Sequence, residues 1–226
     1  MKRLWLTTMI MVAMFTFVST VNANTIKLLN PGDSYRYSNG GPFTADVLET
    51  VPDGLVGSAI SGGIEFTAFC LEKTEYFYGW NTPYSYTIAF YAVAGGGNHD
   101  LSTPGKDYLD PKSAYLYYNF RTDPSFANSA FKIEALQAAF WHIEDEQSLP
   151  SSPGSGSVEA QAWLYVNAAS AAGWTNIGPV VVLNLYDTAH GQLQSQLGLT
   201  AVPEPATLLL LGLGLVGLSV SRKFKK

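Results

Sequence analysis

Cys70 and Gln137 are the two residues whose types and settings can do chemistry together. Cys70 is the only cysteine of the chain and sits in Phe69-Cys70-Leu71-Glu72, in a stretch that reads as a buried strand. Gln137 lies far downstream in Leu136-Gln137-Ala138-Ala139-Phe140-Trp141, on the strongest helical pattern of the sequence. A thiolate is a good nucleophile. It can attack a carboxamide carbon, expel ammonia and leave a thioester. Such an acyl group is far more activated than an amide, and water hydrolyses it, so the site needs an apolar surround. Phe69, Phe140 and Trp141 are expected to supply that surround, with Tyr76 and Tyr78 on the following segment. A docked amine would then attack the carbonyl, leaving an isopeptide at Gln137 and freeing Cys70. The reaction runs once per molecule, so the chain is not expected to be an enzyme.

Other constellations carry less. A dyad of Cys70 with His142 or His99 lacks any local cysteine-protease signature. His142 stands five positions after Gln137, roughly 140° around a helix, and does not share its face. Glu144-Asp145-Glu146 is expected to be a solvated helix end, because no loop with calcium-ligand spacing surrounds it. No metal or cofactor site is expected. Trp80, Tyr84 and Tyr86 suit either a carbohydrate surface or a core, and core packing is the default. A free cysteine also serves as a small buried hydrophobe. That leaves open a second reading, a non-covalent structural component of the envelope or extracellular matrix.

The elements that must position the pair follow from pattern. From Thr25 to Ala94 the chain reads as strands broken by turns such as Asn30-Pro31-Gly32-Asp33 and Ser38-Asn39-Gly40-Gly41-Pro42. Ile64 to Cys70 alternates and then becomes continuously apolar, and Tyr84 to Tyr91 is aromatic and β-branched. Asp110-Pro111 starts a helix, and Asp123-Pro124 repeats that signal. Between Ala130 and Glu146, Ile133, Leu136, Phe140 and Ile143 fall on one face, which makes Gln137 a boundary residue beside that stripe. Residues 150–157 read as a flexible connector, Val158 to Ala172 as a helix with Trp163 and Val166 facing in, and Pro179 to Tyr186 as a strand. The expected class is α+β, a mainly antiparallel β-structure with an inserted or end-packed helical part.

The ends speak of export. Lys2 and Arg3, the apolar run from Leu4 to Val18, and Val21-Asn22-Ala23 read as a signal peptide over 1–23. Residues 24–202 form the ectodomain. The segment 203–226 opens on Pro203-Glu204-Pro205, continues as an apolar run over 206–220 and closes on Arg222, Lys223, Lys225 and Lys226. As a helix the run spans roughly 22 Å. That is a short membrane anchor, with the basic end held on the cytoplasmic side. These three parts in this order resemble the PEP-CTERM sorting signal of Gram-negative bacteria. The resemblance implies cleavage by an exosortase, transient anchoring in the inner membrane, and delivery to the cell surface or extracellular matrix. Gly212 to Gly217 also spells a dinucleotide-binding pattern, but inside an apolar span, where that motif has no strand–helix setting.

Composition bounds the rest. The chain has 226 residues, 47% hydrophobic and 13% aromatic, which argues against disorder. The ectodomain carries 17 acidic and 7 basic residues, so it has no basic surface for nucleic acid. The Phe69-Cys70-Leu71-Glu72 and Leu136 to Trp141 motifs resemble those of bacterial thioester domains, in which a Cys thiol and a Gln side chain bond. The resemblance implies a surface adhesin that attaches covalently to a partner, with Cys70 the thiol member and Gln137 the acyl member. Leu136 stands where many relatives have Thr, and Glu72 where Asp is common.

Overall fold

The computed structural model describes residues 24–30, 37–38, 40–48, 54–93 and 105–201. The signal peptide, the Pro203-Glu204-Pro205 motif, the basic cluster and the apolar run 206–220 therefore lie outside the described residues, as does His99.

Alternation of apolar and polar residues builds the first strands. In β1 (Thr25–Leu29), Ile26 and Leu28 point inward, and in β2 (Phe43–Val47) Phe43, Ala45 and Val47 do. β3 (Ser58–Ile60) and β4 (Gly63–Ala68) form a hairpin that adds to β2. β5 (Pro83–Ala89) turns Tyr84 and Tyr86 inward, and β6 (Tyr91–Val93) pairs with β7 (Lys106–Tyr108) as a separate ribbon. β8 (Val180–Asp187), β9 (Gly191–Gln192) and β10 (Gln196–Leu199) return to the main sheet, whose order is β10-β8-β5-β1-β2-β4-β3, with β9 beside β8.

Past Ala68 the β4 strand keeps pairing. Cys70 bridges Gln196, Leu71 N–H donates to Ser195 O at 3.1 Å, and Leu197 N–H donates to Phe69 O at 2.9 Å. These bonds join the continuation of β4 to β10, and the segment before β3 pairs with the end of β10 as well, Val56 N–H donating to Leu199 O at 2.7 Å, so the sheet closes on itself. Closure removes the open edge that a flat sheet would leave.

Three helices intervene between β7 and β8. In α1 (Pro111–Thr122), the Asp110 side chain caps the Lys112 N–H; in α2 (Ala130–Ile143), Ser129 caps Lys132; in α3 (Val158–Ala172), Ser157 caps Ala160. Each cap satisfies an N–H that the first turn leaves open. α3 ends on Gly173 at φ +66, a left-handed residue suited to glycine. The helices lie on the outer face of the seam. One core cluster joins α1, α2 and α3 to Phe69, Leu71, Val180, Val182, Leu197 and Leu199, and a second fills the sheet interior with Ile26, Phe43, Cys70, Tyr84, Leu183 and Trp141. β8 is buried on both faces, which explains its unbroken apolar run from Val180 to Leu183.

The architecture is the expected mainly antiparallel α+β class, with several local differences. Asp123-Pro124 starts no helix: Asp123 closes α1 and turns the chain, and α2 begins at Ser129 instead. On α3 the buried positions are Ala162, Tyr165 and Ala169, while Trp163 and Val166 are only partly covered. Among the described residues no helix is long and apolar enough to cross a membrane.

Candidate functional site

Strand alternation decides where Cys70 points. Phe69 and Leu71 face the helices, so Cys70 faces the interior. On α2, seven consecutive residues from Ala135 to Trp141 are buried, with small Ala135, Ala138 and Ala139 allowing the helix to approach closely. This brings Gln137 onto the cysteine. Both side chains are 0% exposed.

The carboxamide is held at three points. The Cys70 thiol donates to Gln137 Oε1 at 3.4 Å, the Gly41 N–H donates to the same oxygen at 2.9 Å, and Gln137 Nε2 donates to the Cys70 carbonyl at 2.9 Å. Two glycines make this approach possible. A Cβ on Gly41 would stand 2.9 Å from Gln137 Oε1 and 3.1 Å from Phe69 Cα. One on Gly40 would stand 2.7 Å from the Trp141 ring and 2.9 Å from Gln137 Cγ. The Phe69 ring packs on Phe140 at 5.1 Å, and the Tyr37 ring lies 6.0 Å from Trp141. Tyr37 is fixed by its hydroxyl, which donates to Glu159 Oε1 at 3.3 Å and accepts from Gln147 Nε2 at 3.1 Å. Lys73 Nζ also reaches Gln147 and stands 5.6 Å from the Trp141 ring centre.

Burial pushes the Cys70 thiol up to about 12, and the charge of Glu72 adds to the shift. The Gly41 N–H opposes it, as does the Trp141 indole N–H, which has no hydrogen-bond partner of ordinary geometry yet is close enough to favour the thiolate. Glu72 is itself buried. Its Oε2 accepts from the Ser195 N–H at 2.9 Å, while its Oε1 has no hydrogen-bond partner. Burial holds its carboxyl well above the usual carboxylate range, reinforced by Glu75 and then Glu146.

The arrangement has the parts of an acyl transfer: a sulfur nucleophile against a carboxamide, with a fixed N–H on the oxygen where negative charge would develop. Among the described residues no group of three or more His, Cys, Asp or Glu is placed to hold a metal ion.

The structure places Cys70, Gln137, Phe69, Phe140 and Trp141 together. Gln137 is not a boundary residue, because α2 is buried all round at this height rather than along one stripe. Tyr76 and Tyr78 do not shield the site; they are 62% and 54% exposed. His142 turns away, its ring 4.7 Å from Trp163 and its Nδ1 bonded to the Leu149 N–H. Glu144 is no solvated acid: it is 5% exposed and accepts from the Asp110 N–H at 3.3 Å. Tyr84 and Tyr86 are core residues. Sequence reasoning took Gly40-Gly41 only as a turn. Paired glycines just before a strand are also the signal of close backbone approach.

Residues 201–223 match the PEP-CTERM protein-sorting motif. The chain therefore carries the C-terminal signal of an exported protein that is transiently anchored in the membrane and processed by exosortase. No curated protein and no solved structure matches the chain.

Proposed function

We propose that this exported protein closes an internal thioester between Cys70 Sγ and the Gln137 side-chain carbon, and uses it once to bond covalently to an amine-bearing surface or matrix partner. The observation that carries the reading is the 3.4 Å contact between the Cys70 thiol and Gln137 Oε1, fully buried and shared with the Gly41 N–H. In the closing step, sulfur adds to the carboxamide carbon and the carbon–nitrogen bond breaks. The thiol proton leaves with the nitrogen as ammonia. The partner's amine later attacks the same carbon, forming an isopeptide and returning the proton to sulfur. Nothing is turned over, so the protein acts as an adhesin rather than an enzyme. Its setting is the cell surface or extracellular matrix of a Gram-negative bacterium, reached by way of exosortase.

The test is the intact mass of the folded ectodomain. It should weigh one ammonia less than its sequence, resist thiol alkylation while native, and take up methylamine at Gln137 with release of the Cys70 thiol. Full sequence mass sinks the reading. The high pKa of the thiol favours a second one, an inert buried cysteine in a non-covalent structural component, and full mass is what that reading expects.

A further inference from the structure

Only four residues, 202–205, separate Ala201 from the start of the apolar run 206–220, and two of them are prolines. Ala201 is tied into the fold. Its N–H donates to Gly54 O at 2.6 Å, and the N–H and hydroxyl of the preceding Thr200 both donate to Pro179 O at 2.9 Å. An extended chain spans at most about 3.6 Å per residue, so an anchored run places the hydrocarbon edge within about 18 Å of Ala201. The headgroup layer fills roughly 6 Å of that distance. The end of the domain from which β10 departs is therefore held close to the membrane surface.

Strand register shows what else lies at that end. Ala89 pairs with Val182 and Leu199 with Val180, so Phe90, Pro179 and Thr200 leave the sheet together. Phe90 is 61% exposed and Tyr108, the last residue of β7, is 47% exposed. The Leu109 N–H donates to Phe90 O at 3.1 Å, which keeps Tyr108 beside Phe90. With Ile177 these residues line an open, mostly apolar groove of about 350 Å³. Past Gly178 the surface continues to Trp174 and Tyr118, whose ring centres are 5.5 Å apart. Across the departing strand stands Val56, exposed as well and bonded to Leu199 O. Apolar side chains thus flank the exit of the chain on both sides, and a contiguous exposed patch of this kind marks an interaction site. Tyr76, Tyr78 and Trp80, also exposed, stand at the opposite end, before the first residue of β5 and against His190 past the end of β8.

We propose that this end of the domain is a membrane-docking surface, on which Phe90, Tyr108, Trp174 and Ile177 rest in the headgroup layer of the bilayer that holds residues 206–220. The short spacer is what assigns lipid as the occupant, because it leaves the patch no other surface so near. It also makes docking an intramolecular event, so a small apolar patch suffices where a free domain would need a larger one. Tyrosine and tryptophan suit the membrane–water interface, where one part of the ring is dry and the other wet. The ectodomain carries more acidic than basic residues, so the contact rests on burial of apolar surface and not on attraction to anionic headgroups. Docking holds Pro203-Glu204-Pro205 at the membrane surface in one orientation for processing. Removal of the tail then frees the patch together with the domain. The proposal is independent of the chemistry at Cys70 and Gln137.

The experiment reconstitutes the full chain, freed of its signal peptide, in phosphatidylcholine nanodiscs. Part of the phosphatidylcholine carries a photoactivatable group at the top of its acyl chain, and labelled peptides are mapped by mass. Label is expected on 206–220 and also on the peptides that hold Phe90, Tyr108 and residues 174–179, with none on residues 76–80, and high salt should leave the pattern unchanged. Phe90→Ser with Tyr108→Ser, both at exposed positions, should lower the label on 174–179 about tenfold and leave that on 206–220 as it was. Label confined to 206–220, or equal on the patch and on 76–80, overturns the proposal. So does a double variant that is folded by circular dichroism and labelled like wild type. Should the double variant not fold, the wild-type map decides alone. An unlabelled 206–220 overturns the anchoring on which the proposal rests.

Discussion

The Gly41 amide donates to Gln137 Oε1 at 2.9 Å from a position where even a methyl group would collide with that oxygen. The bond exists because residue 41 has no side chain. The loop before β2 thus sets the orientation of a carboxamide carried by a helix far away in sequence.

Gly41→Ala is therefore expected to break the site from outside the pair. The added Cβ meets Gln137 Oε1 and the Phe69 backbone, and the backbone cannot swing aside. Overpacking of this kind costs about 1–3 kcal/mol. The ectodomain should keep its full mass, expose an alkylatable thiol and melt lower than wild type. A variant that still loses ammonia would show that the Gly41 contact is dispensable.

Removing the carboxamide should cost more than removing the thiol. Gln137→Ala strands the Gly41 N–H and the Cys70 carbonyl, both buried, at about 1–3 kcal/mol each. Cys70→Ala strands neither and trims one atom. Both variants lose any thioester, so their difference in Tm isolates the hydrogen bonds, with Gln137→Ala lower by about 2–4 °C per kcal/mol. Equal melting temperatures would contradict the bonding described here.

Acidic side chains around the α2 end set a pH dependence of stability. Burial, then Glu146, lifts Glu75 from 4.5 to about 7, and burial, then Glu146 and Asp145, lifts Asp107 from 3.8 to about 6. Each binds its proton more tightly in the folded chain than in the unfolded one. Stability is therefore lost as pH rises from the unfolded values through the folded ones. Tm should fall between about pH 4 and about pH 7, and Glu75→Gln with Asp107→Asn should flatten that fall. A Tm that rises over this range would reverse the sign.

The sorting motif at 201–223 predicts a shortened mature chain. In a host with exosortase, peptide mapping of the surface form should find no peptide ending in Lys226. Recovery of an intact C-terminus, unchanged when exosortase is deleted, would count against removal.

What the sequence reveals depends on how local each feature is. An unpaired cysteine on a strand and a glutamine on a strongly apolar helix are visible as short motifs, and so is the mainly antiparallel class. The depth of Gln137 is not, because 3.6-residue periodicity marks one covered face and cannot show that α2 is covered all round by residues from the neighbouring helices, β-strands and loop. Glu144 reads as a surface acid because its partner, the Asp110 N–H, belongs to the start of α1. The Gly40-Gly41 approach and the β4–β10 pairing are long-range contacts with no local signature.

The β4–β10 seam also sets how a pull would travel through the molecule. The sorting motif begins at Ala201, two residues beyond the end of β10, and Cys70 is bridged to Gln196 within that seam. Tension applied at Ala201 would enter along β10, whose bonds to β4 and β8 lie across the strand direction and share the load in shear instead of opening one at a time. A target bonded at Gln137 would hang from α2, so the load between it and Ala201 would cross the Cys70–Gln196 bridge, with the Leu199 bond to Val56 and the Gly41 bond to Gln137 drawing in the segments that lead into β3 and β2.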